Sequence, residues 1–160
     1  MHMDYPNKTV KLEGFEEFEE QLLAFGESFR VDSIARQTVV KAALAAMAPV
    51  LAQLQVTTPY DPKGKGPIHL RDTVRLDARI PSSYDKKSNF VNETDAAIAV
   101  ASVKKSAVSL ANEFGTKRMA AQPFLRRALY RNINAVLDIL KVELGSKIPE
   151  MAARLAKKRK

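Results

Sequence analysis

A chain of 160 residues is long enough to bury one core and fits a single domain over 1–160. It has no cysteine, which excludes disulfides and thiolate metal sites. No unbroken apolar run reaches eighteen residues, and the N-terminus lacks a basic segment followed by an apolar one. Neither a membrane span nor a signal peptide is therefore expected. The formal charge of +8 is unevenly spread. Residues 1–30 carry seven acidic and three basic side chains, whereas residues 104–160 carry fourteen basic and four acidic ones.

Thr9 to Leu12 alternate polar and apolar, the pattern of a short first strand. Beyond Gly14, the residues Phe15, Phe18, Leu22, Phe25 and Phe29 recur at spacings of three and four, forming one helical stripe. Glu16, Glu17, Glu19 and Glu20 crowd its first turns, where a helix favours negative charge. Asp32 or Ser33 caps a second helix reaching about Gln55. Its alanines at 42, 43, 45, 46, 48 and 52 permit close backbone approach. Pro49 predicts a kink there, the alternative being two helices broken near Ala48.

Three prolines and two glycines between Thr57 and His69 predict a loop. The alternation of Val74, Leu76, Ala78 and Ile80 with Arg75, Asp77 and Arg79 predicts a half-buried strand. The polar stretch 81–95 is expected to be a mobile loop. Ala96–Val103 reads as a central strand. Val108, Leu110 and Phe114 recur at even spacing, so Ala107–Phe114 reads as the last strand of a three-strand meander. Thr9–Leu12 would add a fourth.

Gly115 supplies the positive φ of a sharp exit, and Pro123 fits the first turn of a helix. Leu125, Leu129, Ile133, Val136 or Leu137, Leu140 and Leu144 then form a buried stripe. Gly145 reads as a helix stop, and Ser146 as the cap of a last short helix through Leu155, with Pro149 in its first turn. Residues 157–160 read as a mobile basic tail. The expected fold is α+β, with two N-terminal helices and a C-terminal helix packed on a small antiparallel sheet of three to four strands.

The stretch Glu113-Phe114-Gly115-Thr116, a basic loop, and Ala121-Gln122-Pro123-Phe124-Leu125-Arg126 with Ala128 resembles a known signature. It is similar to that of tail-completion proteins of long-tailed phages, also described as minor tail or head–tail joining proteins of the neck. Leu70-Arg71-Asp72-Thr73 also matches the family pattern, while Arg127 stands where the family often carries proline. The order of elements agrees along most of the chain.

The resemblance implies a virion protein of the phage neck, assembled in the cytoplasm of the bacterial host. It would form a sixfold ring around the DNA channel and meet the connector or stopper on one side, the tail terminator or tail tube on the other. Glu113, Phe114, Gly115, Thr116, Pro123, Phe124, Leu125 and Arg126 would be fold residues first and interface residues second. The loops 57–69 and 81–95 would dock onto neighbouring neck proteins.

Catalysis is not expected. His2 and His69 are the only imidazoles, and neither has a partner at a metal-binding or catalytic spacing. No serine sits in a nucleophile elbow. Lys63-Gly64-Lys65-Gly66 lacks the ending of a phosphate loop. No cofactor is implied. The competing reading is a small basic DNA-binding or DNA-packaging accessory protein. Arg126, Arg127 and Arg131 around Tyr130 would then touch phosphates, with Lys104, Lys105, Lys117, Arg118, Lys157, Lys158 and Arg159. Solubility and subunit pairing are the favoured reading of the same arginines.

Overall fold

The computed structural model describes residues 33–64, 68–93 and 95–158. The expected strand Thr9–Leu12, the phenylalanine-striped helix and Arg159 lie outside these residues. What is described is a mixture of helices and one two-stranded antiparallel sheet.

Helix α1 spans Ser33–Ala46 and helix α2 spans Ala48–Thr57. Of the two readings of Pro49, separate helices are the one found. The chain breaks at Met47, and Pro49 lies in the first turn of α2, where its missing N–H costs least. Thr58 ends α2 and is fully buried; its backbone N–H and its hydroxyl both donate to the Leu54 carbonyl. The Arg71 guanidinium reaches back to the Thr58 and Val56 carbonyls, supplying donors and positive charge where a helix end needs them. By length and composition Ile34–Thr57 is apolar enough to cross a membrane. Here it is broken at Met47, and Ala42, Met47, Val50 and Leu54 face the protein core.

A 3₁₀ turn at Leu70–Thr73 leads into β1, Arg75–Arg79, which pairs with β2, Ile98–Ser102, from Arg75 opposite Ser102 to Arg79 opposite Ile98. Leu76 and Ala78 turn inward and the charged residues between them turn out, as alternation predicts.

The expected third strand is a helix. Ala107–Phe114 forms α3, started by Ser106, whose side chain accepts the Ser109 N–H while Ser109 accepts the Ser106 N–H. The buried residues of α3 are Ser109 and Glu113, four apart, while Val108, Leu110 and Phe114 lie exposed. A separation of four fits both a strand face and a helix face, so Leu110 and Phe114 do not discriminate between the two. The Ser106–Ser109 capping box does.

Helix α4 runs unbroken over Phe124–Lys158. The stop at Gly145, the cap at Ser146 and a separate last helix are therefore not found. Tertiary packing decides the matter. Leu144 and Ile148, on either side of Gly145, are both buried against Ala42 of α1. Ser146 donates back to the Glu143 carbonyl and starts nothing. Lys157 and Lys158 are the last residues of this helix.

At its other end α4 buries Phe124 and Ala128 against Met47, Val50 and Leu54, with Leu70, Val74, Leu76, Ala99 and Ala101 packed around them. Leu129, expected in the stripe, is exposed. The buried positions there are 124 and 128, one residue out of register with it.

Candidate functional site

The stretch from α3 to the first turn of α4 forms one corner, and most of the motif residues meet there. Glu113 lies on the inner face of α3 and is 5% exposed. Its carboxylate accepts the backbone N–H of Leu125 at 3.0 Å and of Arg126 at 3.3 Å, two of the first N–H groups of α4. Those groups have no intrahelical partner, so a side chain from another helix caps α4.

Arg126 completes the arrangement. Its Nε donates to the same carboxylate at 2.8 Å and its Nη2 to the Glu113 carbonyl at 2.6 Å. The guanidinium also lies 5.3 Å from the centre of the exposed Phe114 ring. A buried carboxylate is tolerated when its charge is paired and its lone pairs are occupied, and both conditions hold here.

Gly115 terminates α3 at φ 77°, as its expected positive φ requires, although the element it ends is a helix. A Cβ at this position would stand 2.9 Å from the Ala121 nitrogen and 3.0 Å from the Met119 oxygen, so the backbone itself closes around it. Thr116 folds the basic loop over: its hydroxyl accepts the N–H groups of Arg118 and Met119. Gln122 donates to the Asn112 carbonyl at 2.7 Å, tying the loop back to α3. Pro123 then sets the chain for Phe124, which is buried in the core, and Leu125, which is half-buried.

The basic residues do not form one patch. Arg127 and Arg131 are exposed one turn apart beside a shallow groove of about 170 Å³ that also involves Gln53, Thr57 and Gln122. Lys157 is exposed at the far end of α4, 26 residues on, which is roughly 39 Å along the axis. Lys158 lies beside Lys157 in the same last turn.

Of the two loops expected to dock, 81–95 differs in character from its forecast. The 81–95 stretch, expected to be mobile, is dense in hydrogen bonds. Arg79 holds Asp85 at 2.8 Å and also pairs with Asp77, and Asp85 accepts the Ser82 N–H and hydroxyl. The hydrogen bonds from Arg79 and then from Ser82 keep the Asp85 carboxyl well below the ordinary carboxylate range.

The 57–69 loop lines a second groove, of about 420 Å³, formed by Tyr60, Ile68, His69 and Leu70 with Lys104 and Val108. The Tyr60 and His69 rings lie 4.5 Å apart, and the Lys104 N–H donates to the Thr73 hydroxyl, joining the two walls. Sequence reading missed this groove because its walls come from segments some forty residues apart. Among the described residues, no three His, Cys, Asp or Glu side chains gather into a metal-binding group.

Comparison of the chain with protein-family models, with curated proteins and with solved structures found no match.

Proposed function

We propose that this chain is a structural subunit of a long-tailed phage neck, a ring that completes the tail and joins it to the head-side connector, without a reaction of its own. The observation that carries the reading is the corner at Glu113–Arg126. The residues that resemble the tail-completion signature are the ones that cap, turn and lock this corner. Such a joint holds α3 and the start of α4 in one fixed relation, which suits a part that must repeat identically around a ring. The uneven charge supports the reading too, since a heterologous ring sets different surfaces of neighbouring copies against each other.

Negative-stain imaging and light scattering of the purified protein test the assembly, with rings expected. The position of its gene tests the role, and a place between connector and tail-tube genes is expected. A gene remote from any tail cluster would sink the neck reading.

One observation favours the DNA-accessory reading. Arg127 and Arg131 are exposed and make no ion pair among the described residues. Titration with random duplex DNA over a salt series separates the two. Steeply salt-dependent binding that falls on replacing both arginines by alanine, in a protein that forms no rings, would favour the accessory role.

A further inference from the structure

Helix α1 is apolar on the side that faces away from the core as well as on the side that faces it. Ile34–Thr57 is apolar enough to cross a membrane, yet only 28% of its most apolar window is buried. Ala35, Ala42 and Ala46 make up the core side of α1. On the other side Ile34 and Leu44 are 40% and 42% exposed, with Lys41 and Ala45 between and beside them, and the face continues into the exposed Ala48 of α2. Alanines flanking a leucine leave room for a second helix to approach closely.

The chain carries a match for this face. Phe15, Phe18, Leu22, Phe25 and Phe29 recur at helical spacing, and Phe29 stands four residues before Ser33, where α1 begins. Residues 15–29 taken as a helix are roughly 21 Å long, against roughly 20 Å for the 14 residues of α1. The three residues 30–32 between them are a connection of the length that joins antiparallel helices. With equal rise in both helices, folding back about Val31 sets opposite each other residues whose numbers sum to about 62. Phe29 then meets Ile34, Phe18 meets Leu44 and Phe15 meets Ala48. The same register brings Glu20 beside Lys41, which makes no ion pair among the described residues.

We propose that residues 15–29 of this chain fold back as a helix on the outer face of α1, with Phe18 seated against Leu44 and Glu20 paired with Lys41. Length, apolar spacing and charge all select this occupant. A short tether also gives it an effective concentration that a separate molecule must exceed. The expected first helix is then an antiparallel neighbour of α1, on the side away from Ala42 and the α4 residues packed against it. The inference does not rest on the neck reading and needs no second copy.

The chain has no cysteine, so introduced pairs report alone. Glu20→Cys combined with Lys41→Cys, treated with a short bismaleimide, is expected to link within one molecule. The reaction should run about tenfold faster than for Glu20→Cys combined with Arg127→Cys. Arg127 precedes Leu144, which packs beside Ala42, by 17 residues of α4, or roughly 26 Å along its axis. Leu44→Gln gives a second readout, since glutamine keeps the helix propensity of leucine. A leucine open to water tolerates that change, whereas one covered by Phe18 should lose on the order of 5 °C in melting temperature. Phe18→Gln should lose a similar amount, and the double variant little more than either alone.

Links formed only between molecules would overturn the proposal and give the face to a second copy. Equal rates for the two cysteine pairs, or no link at all, would remove the contact. A Leu44→Gln protein that melts like wild type would show the face to be open, and losses that add fully in the double variant would separate Phe18 from Leu44.

Discussion

Two arginine–carboxylate pairs of the same length, 2.8 Å, hold two very different parts of this molecule. Arg126–Glu113 sits at the corner between α3 and α4, beside the buried Phe124. Arg79–Asp85 sits at the end of the hairpin, and the loop it holds turns its aromatic rings to solvent. The first pair has a buried carboxylate that also caps a helix, so losing it strands donors inside the protein. The second has its arginine about half in water, where screening and solvation replace most of what the pair supplies. Equal geometry therefore does not mean equal worth. The corner pair belongs to the stability of the fold, and the hairpin pair to the shape of one loop.

The harshest test of the corner is Gly115→Val. A β-branched side chain at φ 77° with backbone atoms 2.9 and 3.0 Å away is expected to cost about 3 kcal/mol or more. That is a fall in melting temperature on the order of 10 °C. A wild-type melting curve would show that the corner does not hold the fold together.

Next comes Glu113→Ala, expected to cost about 2–4 kcal/mol, discounted because Arg126 is one-third exposed. Glu113→Gln keeps an acceptor for the N–H groups of α4 and should recover about half of that in a denaturant titration. Equal loss in both variants would mean that charge alone matters there.

Asp85→Asn should leave the denaturation midpoint where it is and speed hydrogen exchange at Ser82, Lys87 and Ser88. A shifted midpoint would erase the contrast between the two pairs.

The smallest effect is one of pH. Because the Asp85 carboxyl is held low, its contribution is complete above the ordinary carboxylate value of about 4 and is lost only as pH falls through the depressed value. Resonances of the Ser82 amide should therefore hold steady from pH 7 to 4 and move below that. Titration centred near 4 would contradict the pairing with Arg79.

Where side-chain period and local chemistry agreed, sequence reading found the element. The alternation of 74–80 located β1, and Pro49 marked the place where the expected kink is instead a break between α1 and α2. Several of the failures share a physical cause, contacts made from outside the segment, although the start of α3 was locally marked by the Ser106–Ser109 capping box. Ala107–Phe114 presents its apolar side chains to solvent and buries Ser109 and Glu113 instead, so a hydrophobic pattern points the wrong way there. The Glu113 carboxylate finds its partners twelve and thirteen residues later, which no local spacing rule detects. At Gly145 the breaker signal was sound, yet the burial of Leu144 and Ile148 on α1 outweighed it. The corner residues were legible as a motif, and their roles as cap, ion pair and backbone closure were not.

Pro149 keeps a consequence of its own. Having no N–H, it leaves the carbonyl of Gly145, one turn earlier, without its helical partner, on a side of α4 that is open around that glycine. Water can serve that carbonyl at no cost to the core, since Leu144 and Ile148 grip α1 on the other side. The helix thus carries a built-in seam. Everything before it is bolted to the core, and one turn beyond it Met151 packs against the same Ala42–Leu144–Ile148 cluster, so the unpartnered carbonyl sits between two points of attachment.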